Sequence, residues 1–263
     1  MFEIARTIAI GATAGYLLLL LIVFTSSDSL LFPMRPNAYS IPGLLQLPTQ
    51  PNGEIVALHL ENPEARVTLL YSHGNGEDLE SALPLLSEYR RRGFAVLAYD
   101  YPGYGRSPGQ SSEQGAYRAI DACYRFLREE RNIRPEEIVL YGRSLGSGPS
   151  VDLASREPVG GLVLEGGFVS AFRVMTRVRM LPWDKFENQR KLADVECPVL
   201  VIQAANDKVV GYWHGPLLSA AVRGAHDFWR VEGAGHNDVV FTAGGEYWRR
   251  LRQFVDDRAT PSD

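Results

Sequence analysis

Ile138–Gly146 reads IVLYGRSLG, a strand-forming run that passes directly into the pentapeptide Gly142-Arg-Ser144-Leu-Gly146. A serine at the centre of a G-x-S-x-G pentapeptide is exposed as a nucleophile when a strand ends in a sharp turn and a helix follows. From about Asn52 onward, short β-branched runs alternate with longer amphipathic stretches, which is typical of βαβ units. The sequence therefore predicts an α/β fold with a mostly parallel, doubly wound sheet.

Strands and helices follow from the spacing of apolar residues. The clearest helix is Gln114–Glu130, whose apolar residues recur at helical spacing; Cys123 lies on that face and is interpreted as core. Further helices are predicted over Leu79–Arg91, after Ser144, and over Glu246–Asp256. The predicted strands are Ile55–Leu60, Val67–Ser72, Phe94–Asp100, Ile138–Gly142, Gly161–Glu165, Val199–Ala204 and Phe228–Val231.

A second G-x-S-x-G match surrounds Ser107, so the local context must distinguish the two serines. Ser107 lies in a loop rich in proline and glycine, and the next residue, Pro108, has no N–H to offer an oxyanion. Ser144 directly follows a strand, and Leu145 can donate its N–H. We interpret Ser144 as the nucleophile; the alternative is a serine that only caps a helix.

A nucleophilic serine needs a general base and an acid that orients the base. His236 follows the last predicted strand in a glycine-rich loop, where a base is expected, whereas His226 precedes that strand and His214 begins a helix. Asp207, just past the strand VLVIQA, is the predicted acid, with Glu165 as the runner-up. The order serine, aspartate, histidine is that of α/β-hydrolases.

The loop His73-Gly74-Asn75-Gly76 follows the strand VTLLYS. Its glycines allow the backbone to approach a substrate closely, and the Asn75 N–H can face an oxyanion. Asn75 and Leu145 are therefore the predicted oxyanion-hole donors. His73, in the same loop, and Asp100, in YDYPGYG, are interpreted as structural residues.

The amino-terminal stretch Ile8–Phe24 has 17 residues and no charge. As a helix it is about 26 Å long, enough to span a bilayer core once. We interpret it as an uncleaved anchor; the alternative is a signal segment cleaved near Thr25–Ser27. The flanking charges Arg6, Asp28 and Arg35 favour an amino terminus inside and a main domain on the exported side.

Composition limits the remaining possibilities for this 263-residue chain. The 27 basic and 31 acidic residues give a net charge of −4, which does not indicate a nucleic-acid partner. The two cysteines form neither a disulfide framework nor a zinc motif. We predict no metal and no cofactor. The predicted organisation is an anchor at 1–27, a linker at 28–51, a catalytic domain at 52–257 with a short cap at 166–196, and a tail at 258–263.

Five segments in this order resemble a known family: YSHGNGEDL, YDYPGYGRSPG, YGRSLGSGP, CPVLVIQAANDKVV and VEGAGHND. They look like the α/β-hydrolase-domain serine hydrolases that include Bem46-like proteins and membrane-associated protein depalmitoylases. The resemblance implies that Ser144, Asp207 and His236 form a catalytic triad and that Asn75 and Leu145 supply the oxyanion donors. In this chain Gln203-Ala204 replaces the family's usual histidine-glycine, and an apolar span replaces the cysteine-rich, lipidated segment of the depalmitoylases.

Together the residues and the resemblance predict a membrane-anchored, single-pass serine hydrolase. Its expected substrates are carboxylic esters or thioesters, carried by a small molecule, a lipid acyl group or an acylated protein. Two alternatives remain: a serine peptidase of the same fold, and a catalytically silent hydrolase fold that acts as a membrane-tethered binding module.

Overall fold

A computed structural model describes residues 2–33 and 36–257. Its centre is a sheet of eight strands in the order β1-β2-β4-β3-β5-β6-β7-β8. Strand β2 pairs antiparallel with β1 and β4, and all other neighbours are parallel. The predicted fold class is confirmed. The strands are β1 Leu44–Pro48, β2 Glu54–Leu60, β3 Thr68–Ser72, β4 Ala95–Tyr99, β5 Ile138–Arg143, β6 Gly161–Glu165, β7 Val199–Ala204 and β8 His226–Val231.

The helices cover both faces of this sheet. The predicted helix Leu79–Arg91 is confirmed; Asp78 caps it by accepting a hydrogen bond from the Ser81 N–H. The predicted helix Gln114–Glu130 is an α-helix that ends in a π-helical turn, Phe126–Glu130. The α-helices are α1 Phe2–Leu31, α2 Leu79–Arg91, α3 Glu113–Arg125, α4 Ser147–Ala154, α5 Asn188–Lys191, α6 His214–Ala221, α7 Val239–Ala243 and α8 Gly245–Asp256.

The predicted linker at 28–51 needs correction. It contains β1, which extends the sheet at its edge by pairing antiparallel with β2. The segment LLQLP has no β-branched residue and ends in proline, so its composition does not indicate a strand. An edge position nevertheless accommodates Pro48, because one side of the strand needs no ladder partner. The predicted tail 258–263 and the flanking charge Arg35 lie outside the described residues.

Two apolar layers form the core, one on each face of the sheet. Leu70 and Leu140 pack in one layer, whereas their neighbours Leu69 and Val139 pack in the other. This division follows from the alternation of side chains along a strand. Helices α3 and α4 cover the first layer, and α2 and α8 cover the second. Because both faces are covered, the carboxyl edge of the parallel strands remains for a site.

The segment 166–196, predicted to be a cap, connects β6 to β7 and contains only short helical turns and α5. Helix α1 has 30 residues, is largely exposed, and is long and apolar enough to cross a bilayer. It also contacts the cap. The Phe24 and Trp183 rings pack edge to face with centroids 5.9 Å apart, and Lys185 Nζ lies 2.6 Å from Asp28 Oδ1.

Candidate active site

Ser144 lies immediately after β5, on the turn that leads into α4, and its backbone has φ of +50°. Such a φ is unfavourable for a residue with a side chain and costs on the order of 1–3 kcal/mol. The flanking glycines make the turn possible. A Cβ at Gly142 would lie 2.6 Å from Gly146 O, and one at Gly146 would lie 2.0 Å from Ser72 O. The G-x-S-x-G glycines are therefore required by close backbone packing.

Three of the predicted site residues lie in a hydrogen-bonded series at the carboxyl edge of the sheet. Ser144 Oγ is 2.9 Å from His236 Nε2, and His236 Nδ1 is 2.7 Å from Asp207 Oδ2. These side chains follow β5, β8 and β7, respectively. Gly166, with φ of +59°, lies against the histidine, since a Cβ there would be 3.0 Å from His236 Cε1. The geometry suits removal of the serine proton by the imidazole.

Asp207 is held from several directions. Its Oδ1 accepts hydrogen bonds of 2.9 Å from the N–H groups of Val209 and Val210, and its Oδ2 also accepts one of 3.0 Å from Gln203 Nε2. Burial disfavours ionisation, but the bonds from His236 and the backbone outweigh it, so the pKa of Asp207 is below its usual value. Gln203 thus helps to fix the carboxylate.

The runner-up acid, Glu165, is engaged elsewhere. Its Oε2 accepts a 2.6 Å hydrogen bond from the Tyr141 hydroxyl, and its Oε1 accepts one of 3.3 Å from Arg143 Nε. Ser107 is also occupied: its buried hydroxyl donates to Asp100 O and accepts from the Val56 N–H, each at 2.8 Å. Neither side chain belongs to the hydrogen-bonded series around His236.

The other downstream histidines do not join the series. His214 is buried, and its Nδ1 accepts a 3.1 Å hydrogen bond from the Val169 N–H. Burial, assisted by the charge of Arg173, lowers the pKa of His214 to about 4, so its ring is neutral near pH 7. His226 is exposed at the amino end of β8, the opposite edge of the sheet.

The predicted oxyanion loop, His73–Gly76, follows β3 and lies beside the turn that carries Ser144. Asn75 is held by its side chain: its Oδ1 accepts a 2.7 Å hydrogen bond from the Tyr104 hydroxyl, and its Nδ2 donates one of 2.9 Å to Leu31 O. Both polar atoms of the Asn75 side chain are therefore bonded to the surrounding protein, to Tyr104 and Leu31. Beneath the loop, the buried rings of His73 and Tyr101 lie 4.5 Å apart.

The contact with Leu31 was not predicted. The carboxyl end of α1 reaches the oxyanion loop, and the next residue, Phe32, is buried edge to face against Tyr101, Tyr104 and Phe186. The sequence pattern offers no signal for this contact, because Leu31 and Asn75 are 44 residues apart.

Asp100, interpreted from the sequence as structural, accepts a 2.9 Å hydrogen bond from the Leu79 N–H, and burial raises the pKa of its carboxyl group.

Within residues 2–33 and 36–257, no group of three or more His, Cys, Asp or Glu side chains has the arrangement of a metal site. Cys123 is buried in the core, as its helical spacing predicts, and neither it nor Cys197 forms a disulfide. Burial raises the pKa of the Cys123 thiol, which makes it unreactive.

Fold and site together define a serine hydrolase of the α/β-hydrolase fold. A family described as "Serine aminopeptidase, S33" matches residues 63–186. Among curated proteins, alpha/beta hydrolase domain-containing protein 17B of Xenopus tropicalis is 39% identical over 198 residues, covering 74% of this chain and 68% of the relative. The human 17B protein is 38% identical over the same shares. The chain belongs to the alpha/beta hydrolase domain-containing protein 17 family, which confirms the resemblance drawn from its motifs.

Solved structures agree on the fold. The Pyrococcus furiosus esterase Pf2001 superposes with a TM-score of 0.73 at 16% identity, covering 86% of this chain and 98% of that one. A monoacylglycerol lipase from Paleococcus ferrophilus superposes with a TM-score of 0.62 at 20% identity, covering 78% and 99%. At such identities these likenesses concern architecture alone.

Proposed function

We propose that this protein is a membrane-anchored serine hydrolase that cleaves carboxylic esters or thioesters through an acyl-enzyme. The observation that carries the proposal is the hydrogen-bonded series from Ser144 through His236 to Asp207, at 2.9 and 2.7 Å. The strained φ of Ser144 adds to it, because strain at a turn that exposes a hydroxyl serves function rather than packing.

In the proposed mechanism Ser144 Oγ attacks the acyl carbonyl carbon while His236 Nε2 accepts the serine proton. Asp207 keeps the Nδ1–H tautomer of His236 and stabilises the imidazolium that forms. The tetrahedral intermediate then collapses, and His236 returns the proton to the departing alcohol or thiol. Water, deprotonated by the same imidazole, attacks the acyl-enzyme and releases the acid.

The backbone N–H groups of Asn75 and Leu145 are the proposed oxyanion donors. Leu145 directly follows the nucleophile. Asn75 directly follows Gly74 in the loop beside the Ser144 turn. Donors fixed in advance stabilise the negative oxygen without reorganising at the moment of reaction. The hydrogen bonds that hold the Asn75 side chain to Tyr104 and Leu31 support this role by fixing the loop.

An apolar groove between α1 and the cap favours a substrate with an acyl chain. Its volume is about 240 Å³, and one of its walls is the helix that we propose spans the membrane. An acyl group that lies in or on the bilayer would thus meet an apolar surface beside the cap. The lining residues include Leu19, Val23, Phe172, Val178, Met180, Leu181 and Trp183.

A serine peptidase is the second candidate, and the family description "Serine aminopeptidase, S33" is the observation that favours it. The two candidates differ in the leaving group. The purified full chain in detergent, assayed on short-chain and long-chain acyl esters, acyl thioesters and aminoacyl amides, should turn over esters or thioesters at least tenfold faster than amides. A Ser144→Ala preparation provides the background rate. Faster amide cleavage would favour the peptidase.

The anchor should affect access to substrate rather than the chemistry. A chain lacking residues 1–27 retains Asp28, Leu31 and Phe32, which contact the cap and the oxyanion loop. We expect it to be soluble and to keep kcat on a short, water-soluble ester within a few-fold. On a long-chain acyl substrate in vesicles it should lose most of its rate, because tethering raises the effective concentration at the membrane. Equal vesicle rates for both chains would refute a role in access.

A longer truncation tests the contact between helix and loop. Removal of residues 1–33 also deletes the acceptor of the Asn75 side chain and the buried Phe32 ring. Here we expect lower kcat on the soluble ester as well. Phe32→Ala in the full chain separates packing from anchoring, since it keeps the helix. If both changes leave kcat on the soluble ester at the level of the 1–27 truncation, Leu31 and Phe32 do not support the oxyanion loop.

The side of the membrane is proposed from charge alone. Arg6 precedes the apolar span and Asp28 follows it, which favours an amino terminus inside and an exported catalytic domain. Protease protection in sealed, right-side-out vesicles tests this orientation. An exported catalytic domain should be cleaved without detergent, whereas a domain inside the vesicle should be cleaved only after detergent is added.

A further inference from the structure

Arg143, the residue before the proposed nucleophile, contacts three separate segments around the site. Its side chain is only 11% exposed. Nη1 donates to the Glu77 carboxylate, Nη2 donates to Asn237 Oδ1 at 3.1 Å, and Nε donates to Glu165 Oε1 at 3.3 Å. A planar guanidinium can make three such bonds in fixed directions, which an ammonium cannot.

Each partner of Arg143 is adjacent to a residue of the proposed chemistry. Asn237 follows His236, and Glu165 precedes Gly166, on which the histidine ring lies. Glu77 directly follows the oxyanion loop, and its Oε2 accepts a 2.7 Å hydrogen bond from the N–H of Gly74, the residue before Asn75. The Arg143 side chain therefore links three segments: the turn that carries Ser144, the loop that carries His236 (the histidine loop), and the oxyanion loop.

We propose that Arg143 and Glu77 are positioning residues that fix the oxyanion loop and the histidine loop relative to Ser144. The inference rests on the proposed function and adds two residues to it. Neither side chain touches the reacting atoms. Glu77 holds the His73–Gly74 peptide by accepting the Gly74 N–H, its backbone N–H donates to Gly74 O at 3.4 Å, and Arg143 holds the Glu77 carboxylate in place. Both peptide groups of Gly74, the residue before Asn75, are thereby fixed.

The bond pattern distinguishes this role from ordinary surface pairing. Exposed ion pairs contribute little to stability and tolerate rearrangement. Arg143 instead lies largely out of solvent, and Glu165, with a side chain 3% exposed, needs its bonds because an unpaired buried carboxylate is costly. Arg143 itself is therefore a poor first target for mutation, since its loss would destabilise the fold.

Glu77 is the better target, because its side chain is 26% exposed and its loss leaves Arg143 paired with Glu165. The test compares Glu77→Ala, which removes the acceptor of the Gly74 N–H, with Glu77→Gln, which keeps an acceptor oxygen at the same distance along the chain. The matched control is Arg156→Lys, because Arg156 also bridges two carboxylates, Asp121 and Asp152, but lies in the turn after α4.

The test measures kcat and KM on a short, soluble ester for each variant. The value of kcat is normalised to the fraction of active sites titrated by a fluorophosphonate, and the thermal midpoint of unfolding is recorded beside it. Glu77→Ala should lower kcat by about 10- to 100-fold with KM within about threefold, because misplacing a catalytic donor by about 1 Å costs up to 10²-fold. Glu77→Gln should recover only part of that loss, because its single oxygen can accept the Gly74 N–H while its NH₂ faces the donor Arg143 Nη1. Arg156→Lys should leave kcat unchanged even if its thermal midpoint falls as far.

An alkylboronic acid inhibitor forms a tetrahedral, anionic adduct with Ser144 Oγ that places a boron-bound oxygen in the oxyanion hole, and it adds a readout that fold stability alone does not move. Its Ki for Glu77→Ala should rise by the same factor by which kcat/KM falls. If Ser144→Ala is inactive but Glu77→Ala keeps wild-type kcat and Ki, the positioning role is refuted while the proposed function stands. If Ser144→Ala remains active, the proposed function itself fails.

Discussion

Ser144→Ala should abolish covalent labelling by a fluorophosphonate probe and lower ester turnover by about 10⁶-fold, the scale found when a hydrolase loses its nucleophile. The reason is geometric: among the serines in the part of the chain that the structure describes, Ser144 alone combines a turn with φ of +50° and a 2.9 Å hydrogen bond to an imidazole nitrogen. The residual rate should be the background that binding and oxyanion donors supply without a nucleophile.

Ser107→Ala is the matched control, since Ser107 lies in the same G-x-S-x-G pattern. Its hydroxyl is buried between Asp100 O and the Val56 N–H, so the alanine variant should lose some stability but keep its labelling. Labelling that survives Ser144→Ala would overturn the site assignment. A folded wild-type protein that no fluorophosphonate labels would instead favour the silent binding module, the alternative from a different class.

Asp207→Asn should lower kcat by about 10⁴-fold, with the protein still folded. An asparagine amide can present its NH₂ to His236 Nδ1, which stabilises the tautomer that carries no proton there and leaves Nε2 unable to act as a base. His236→Ala should cost nearly as much as Ser144→Ala, because members of a triad act as one unit and their effects do not add. The measurement is kcat on a soluble ester beside the circular dichroism of each variant.

Glu165→Gln is the comparison that tests the choice of acid. Glu165 is hydrogen-bonded to Tyr141 and Arg143 and makes no hydrogen bond to His236. Its amide variant should therefore lower the thermal midpoint of unfolding but change kcat little. The assignment of Asp207 would be wrong if Glu165→Gln removed activity while Asp207→Asn left it nearly intact.

Much of the site was predictable because its chemistry is written in short segments. The proline after Ser107 lacks an N–H in any fold. The glycines on both sides of Ser144 indicate a turn in which the backbone packs too closely for a Cβ. In a parallel sheet, residues just past the carboxyl ends of strands must meet at one edge. Asp207 and His236 follow such strands, so their proximity to Ser144 followed from sequence order once the strands were recognised.

The choice between Asp207 and Glu165 needed the tertiary structure. Both follow strands of the same sheet, and nothing in their neighbourhood states which way a carboxylate points. Arg143 and Tyr141 take one of them, whereas Gln203 and two backbone N–H groups hold the other beside the histidine. The edge strand β1 was missed for a related reason, because its pairing with β2 outweighs a composition that does not favour strands.

By itself the sequence determined the α/β architecture, the serine turn and an apolar helix at the amino terminus, since each depends on residues that are adjacent or at a regular spacing. Only the tertiary structure decided how these parts are coupled. The bonds from Leu31 to Asn75 and from Arg143 to Glu77 join residues 44 and 66 positions apart. Such contacts depend on strand order and loop paths, which no local periodicity encodes.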